Sequence, residues 1–113
     1  METRYSKGRS GQCANTDLAL EGTEYTLRVA TSKNFNGILV TSASCCIIEQ
    51  HDGYKSYTHA VYADYFRNIT RAKVRCTAKA VERQHEEALS HIDDYVNEAK
   101  MFYAEKHNME SCK

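Results

Sequence analysis

The C-terminal third of this sequence carries a broad apolar stripe at helical spacing, and a helix of that kind has to lie on something. From Val81 to His107 the residues Ala88, Leu89, Ile92, Tyr95, Val96, Ala99, Phe102 and Tyr103 recur at helical intervals, while Glu86, Glu87, Asp93, Asp94, Glu98 and Lys100 fall outside the stripe. Such a segment holds its helix in water mainly by burying that stripe. At about 1.5 Å per residue it would run roughly 40 Å, longer than a short sheet, so its last turns are expected to overhang. Phe102 and Tyr103 stand there, which makes homodimerisation through the C-terminal helix a secondary expectation.

Upstream the period changes to two. Tyr25, Leu27 and Val29 alternate with Thr26, Arg28 and Ala30, the pattern of a half-buried strand. Asn36-Gly37 supplies the positive φ angles of a tight reversal. Ile38 to Ile48 is apolar or small and rich in β-branched residues, as in a strand covered on both faces. His51-Asp52-Gly53 marks the next turn, and Tyr54 to Asp64 reads as a third antiparallel strand, with Tyr57, His59, Val61 and Ala63 on one parity. Residues 1–16 are rich in Ser, Gly, Arg and Lys without clear periodicity, and read as a flexible tail.

Between Thr70 and Ala80 two periods compete. Ala72, Val74, Cys76, Ala78 and Ala80 alternate with Arg71, Lys73, Arg75, Thr77 and Lys79, a strand with one basic face. A helix would instead align Arg67, Arg71, Arg75, Lys79 and Arg83 in a like-charged ridge at the positive end of its own dipole. The repulsion along that ridge favours a fourth strand, although the segment lacks the turn residues that would connect it to the helix. The expected fold is therefore α+β: an antiparallel sheet of three or four strands followed by one long C-terminal amphipathic helix, with residues 17–113 forming a single domain.

The 113 residues have a formal net charge of zero, so any electrostatic signal must be local. No apolar run reaches the roughly 18 residues needed to cross a bilayer, and Met1–Gly11 lacks the hydrophobic centre of a signal peptide. The expected location is cytoplasmic, without membrane association. Five cysteines, Cys13, Cys45, Cys46, Cys76 and Cys112, show no CxxC spacing and read as reduced thiols.

The local signal lies at residues 65–83, which hold six Lys or Arg side chains against one acid, Glu82, and open with Tyr65-Phe66. Clustered cations bind phosphates, and bases stack on nearby rings; an acidic protein surface also suits such a cluster. The candidate contacts are Arg67, Arg71, Lys73, Arg75 and Lys79, with Tyr57, Tyr62 and Tyr65 as recognition anchors. Glu87, His91 and Asp94 share a helix face but read as solvated, and His85 on the apolar seam reads as a satisfied core or interface histidine. Cys45 and Cys46 point to opposite faces of their strand, and a Cys46–His59 pair lacks any local nucleophile motif. No catalytic residue, cofactor or metal is assigned.

In its hairpin strands followed by one helix (Tyr25–Val29, Ile38–Ile48, Tyr54–Asp64, Val81–His107), the chain resembles small phage-encoded inhibitors of host defences such as anti-CRISPR proteins. The resemblance implies a non-catalytic binding protein, in the host cytoplasm, that occludes a protein partner's nucleic-acid-handling surface. Direct binding of RNA or DNA by the basic 67–83 face is the first alternative, and a small metal- or Cys/His-dependent enzyme the second.

Overall fold

The computed structural model describes residues 2–8, 11–34, 36–54 and 57–111, with 2, 8, 51, 57–59 and 107–111 by their backbone alone. Five strands, β1 (Glu2–Gly8), β2 (Gly11–Ala19), β3 (Thr26–Lys33), β4 (Leu39–His51) and β5 (Tyr57–Ala72), precede two helices, α1 (Ala78–Leu89) and α2 (Ile92–Ser111). The strands form one antiparallel meander in the order β1-β2-β3-β4-β5. The fold is α+β as expected, with five strands rather than three or four and two helices rather than one.

The expected tail, residues 1–16, is the first correction: its described residues form β1 and the start of β2. Their inward positions are small or hydroxylated. Thr3 sits opposite Thr16 and Tyr5 opposite Ala14, so the alternation is present but not conspicuously apolar. Burial of Thr16 depends on a partner far along the chain: its hydroxyl bonds His85 Nε2 at 2.8 Å.

That bond belongs to a polar chain inside the core. Gln84 Nε2 donates to the Leu39 carbonyl at 3.1 Å and to Thr41 Oγ1 at 3.0 Å. Thr41 meets Thr31 at 2.7 Å, and Thr31 meets His85 Nδ1 at 2.8 Å. On the other side of the ring Thr16 meets Thr3 at 2.6 Å. Because Gln84 Nε2 can only donate, a consistent assignment passes each hydroxyl proton towards His85 Nδ1, which accepts, and leaves Nε2–H of the ring to donate to Thr16. Burial lowers the His85 pKa, in keeping with a neutral ring.

The apolar core lies beside this chain and on the same sheet face. Leu20, Leu27, Val29, Ala43, Cys45 and Tyr65 pack against Ala88, Tyr95, Ala99 and Tyr103 of the helices. A smaller cluster of Ala14, Leu39 and Val81 closes the other end.

The strand expected over 70–80 ends at Ala72, which pairs with Leu39, the first residue of β4. Beyond that point the neighbouring strand offers no ladder to pair with. Residues 73–77 cross the end of the sheet, where the Cys76 thiol donates to the Gln12 carbonyl at 3.5 Å. Thr77 then caps α1, its hydroxyl accepting from the Ala80 amide at 3.1 Å.

The single long helix is interrupted at Ser90-His91. Ser90 Oγ donates back to the Glu87 carbonyl at 2.6 Å, and His91 N–H tightens to the Ala88 carbonyl at 3.1 Å. The expected overhang is also engaged internally. Tyr103 stacks on Tyr25 with centroids 4.1 Å apart, and Phe102 meets Tyr65 edge-on at 5.7 Å. The two residues that motivated a dimer thus pack on their own chain.

Candidate functional site

The meander brings the C-terminal ends of β1, β3 and β5 to one end of the sheet, with the start of α1 beside them. Lys7, Lys33, Arg71, Lys73, Arg75 and Lys79 are exposed there. Among the described residues none of these six makes an ion pair, and segments 11–15, 31–34, 36–42 and 68–80 contain no carboxylate. Glu82, one turn into α1, is the first acid encountered along that helix. From β1 to β5 the row spans four strand spacings, about 19 Å.

The opposite end has the other sign. Glu21 and Glu24 occupy the β2–β3 turn, while Glu49 and Asp52 flank the end of β4, all exposed. A chain of zero formal charge is thereby polarised along its strands. Lys7 and Lys33 join the basic end only through strand pairing, because in sequence they lie far from residues 65–83.

The structure divides the residues nominated from sequence. Arg71, Lys73, Arg75 and Lys79 share the basic end. Arg67 does not: it pairs with Glu98 of α2 and lies over the Tyr95 ring at 5.3 Å, so its charge is used in holding α2 to the sheet. Tyr65 is buried, and its hydroxyl donates to Glu98 at 2.9 Å. Burial, then the bond to Glu98, pushes its pKa up, so Tyr65 is a core residue rather than an anchor. The Tyr57 side chain lies outside the described residues.

Tyr62 stands on the sheet face that carries no helix, and is 60% exposed. Its hydroxyl accepts from Arg28 Nη1 at 3.1 Å. Arg28 grips Asp17 through Nε at 2.8 Å and Nη2 at 3.1 Å, and the first of these bonds to Asp17 is the main cause that raises the Arg28 pKa. Phe66, 62% exposed on the same face, was not nominated as a contact, although its place beside Tyr65 in the basic stretch was noted. Strand parity is what could have found it: at this point of β5, Phe66 faces out where Tyr65 faces in.

Cys45 and Cys46 are buried; burial pushes the Cys45 thiol up to about 11 and raises that of Cys46. The His59 side chain, the other half of the suggested Cys–His pair, lies outside the described residues. His91 and Asp94 approach to 3.9 Å on an exposed face, and among the described residues no group of three side chains able to hold a metal comes together. No helix among them is long and apolar enough to cross a membrane. Comparison with protein-family models, curated proteins and solved structures found no match to this chain.

Proposed function

We propose that this protein is a non-catalytic binding protein whose basic sheet end docks on the phosphate backbone of a nucleic acid. The observation that carries the reading is the row of six exposed cations, Lys7, Lys33, Arg71, Lys73, Arg75 and Lys79, none ion-paired among the described residues, five of them in segments without a carboxylate. Cations that are already ion-paired within a fold have little left to offer a ligand. Among the described residues these do not face that competition, and a row about 19 Å long is long enough to meet several phosphates of one strand.

A titration of a fluorescein-labelled oligonucleotide, followed by anisotropy at several salt concentrations, tests this. Four neutralised phosphates of a single strand would give a log–log salt slope of about −3. Replacing Arg71, Lys73, Arg75 and Lys79 together by Glu should abolish binding. Absence of binding by the unmodified protein at low salt would overturn the proposal.

The acidic opposite end supports a second reading, the inhibitor of phage type that occludes a partner's nucleic-acid-handling surface. Such a surface is itself cationic, so Glu21 and Glu24 would meet it better than the basic end. Capture of a nucleic-acid-handling protein that survives the fourfold Glu substitution and is lost on Glu21→Lys with Glu24→Lys would favour this reading.

A further inference from the structure

We infer that the helix-free face of the sheet holds one unpaired nucleobase between Tyr62 and Phe66, so that the ligand of the basic end is single-stranded. This rests on the nucleic-acid reading above and names the class of ligand it takes. The starting point is an irregularity in β5. Ser44 pairs with Phe66 and Cys46 with Tyr62, so Ala63, Asp64 and Tyr65 together stand opposite Cys45 alone. Four residues of β5 are compressed into two residues of β4, about 7 Å.

That spacing matters for a flat ligand. Backbone positions about 7 Å apart on one face leave room for one planar ring, which needs about 3.5 Å on either side, between the side chains they carry. Tyr62 and Phe66 are 60% and 62% exposed and line one shallow cavity of about 360 Å³. Its floor is formed by Ala30, Ser42 and Ser44, side chains too short to fill it. The serine hydroxyls have no side-chain partner among the described residues, and can both donate and accept along a base edge.

The slot is also held in shape, by a guanidinium whose donors are already engaged and whose carboxylate partner, Asp17, is shared with Arg4 at 3.0 Å. Arg28 fixes the Tyr62 hydroxyl at 3.1 Å while its Nε and Nη2 are held by Asp17. A phosphate gains little from a guanidinium already engaged in this way, whereas a stacked base needs no charge. Along the same face of β5 stand Asn68, opposite Ser42, and Arg71, opposite Val40. From Ser44 to Val40 is four residues, about 14 Å. A strand anchored by its phosphates at Arg71, Lys73 and Arg75 therefore reaches the slot within a few nucleotides, and a duplex, whose bases are stacked and paired, offers the slot nothing.

The experiment is an anisotropy titration of the whole chain with a short oligothymidylate, the same oligomer with abasic sites, and a duplex of equal length. Oligothymidylate should bind about tenfold more tightly than the abasic strand or the duplex, a difference of the size of one stacking contact. Phe66→Ala should erase that difference while leaving the salt slope unchanged. Phe66→Trp, the first tryptophan in this chain, should bind oligothymidylate with quenched emission and the abasic strand without quenching. Salt-dependent binding that is equal for all three ligands and indifferent to Phe66→Ala would overturn the slot and leave the basic end standing. Absence of binding to any of them would overturn both. Capture of a protein through Tyr62 and Phe66 with no preference for oligothymidylate would assign the slot to an aromatic side chain of a partner and overturn the inference.

Discussion

The two faces of the sheet are built from the same strands and put to opposite uses. On the covered face Thr16, Thr31, Thr41 and His85 are fully buried, and each hydroxyl or ring nitrogen is matched inside the protein. On the open face Tyr62 and Phe66 project, largely exposed, above a floor of alanine and serine. Beside the apolar core the covered face thus takes in a run of polar groups, while two aromatic rings stay outside on the open face. Such an arrangement is stable only if every inward polar group is paired, since a buried hydroxyl without a partner costs about 1–3 kcal/mol.

The comparison breaks most sharply at His85. His85→Ala should cost about 3–4 kcal/mol in urea denaturation, because it opens a cavity and orphans hydroxyls on two strands at once. Thr31→Val keeps the shape and removes two links of the chain, so a loss of about 1–3 kcal/mol is expected. A loss below about 0.5 kcal/mol for either would mean that the inward polar chain does not support the covered face.

Acid should weaken the same face. The folded His85 pKa lies below the ordinary 6.5 because burial disfavours the charged ring. Between the folded value and 6.5 the unfolded chain binds more protons, so stability falls as pH drops below 6.5, by at most about 1.4 kcal/mol per pH unit. Above 6.5 this contribution is flat. Denaturation midpoints recorded from neutral to mildly acid pH should show the decline in the native protein and lose it in His85→Gln.

On the open face the effects on stability shrink. Asp17→Asn removes the counter-charge of Arg28 and should cost about 1 kcal/mol, with a looser Tyr62 as its main consequence. Phe66→Ala should change stability by less than about 0.5 kcal/mol, though the slot depends on that ring. A large thermal shift on Phe66→Ala would show that the open face belongs to the core after all, and would remove the contrast between the faces.

Much of the middle of the fold was legible. Tyr25–Val29 lies in or beside β3, the Asn36-Gly37 reversal joins β3 to β4 with Gly37 at φ +80, and His51-Asp52-Gly53 precedes the start of β5. The boundaries of β5 were not legible. Its outward and inward parities change places at the irregularity opposite Thr41/Ser42, where Tyr62, Phe66 and Asn68 give way to Arg71 as the outward residues, so no single alternation runs from Tyr57 to Ala72. Of the candidate site, Arg71 to Lys79 could be read as basic in any conformation, whereas the internal use of Arg67 and Tyr65 depends on Glu98, which the sequence places on a different element.

By itself the sequence determined what is local: the helical stripe from Val81, the alternation in the central strands, the turn residues and the surplus of cations between 65 and 83. These follow from periodicity and composition within a few neighbouring residues. The tertiary structure decided three things. It made strands of residues 2–8 and 11–19, because Thr16 is buried only when His85 arrives from 69 positions away. It brought Lys7 and Lys33 beside Arg71 to Lys79, because antiparallel pairing joins chain ends that the sequence separates. It left one face of the sheet without a helix, because both helices pack on the side where the threonines lie, and only long-range packing chooses that side.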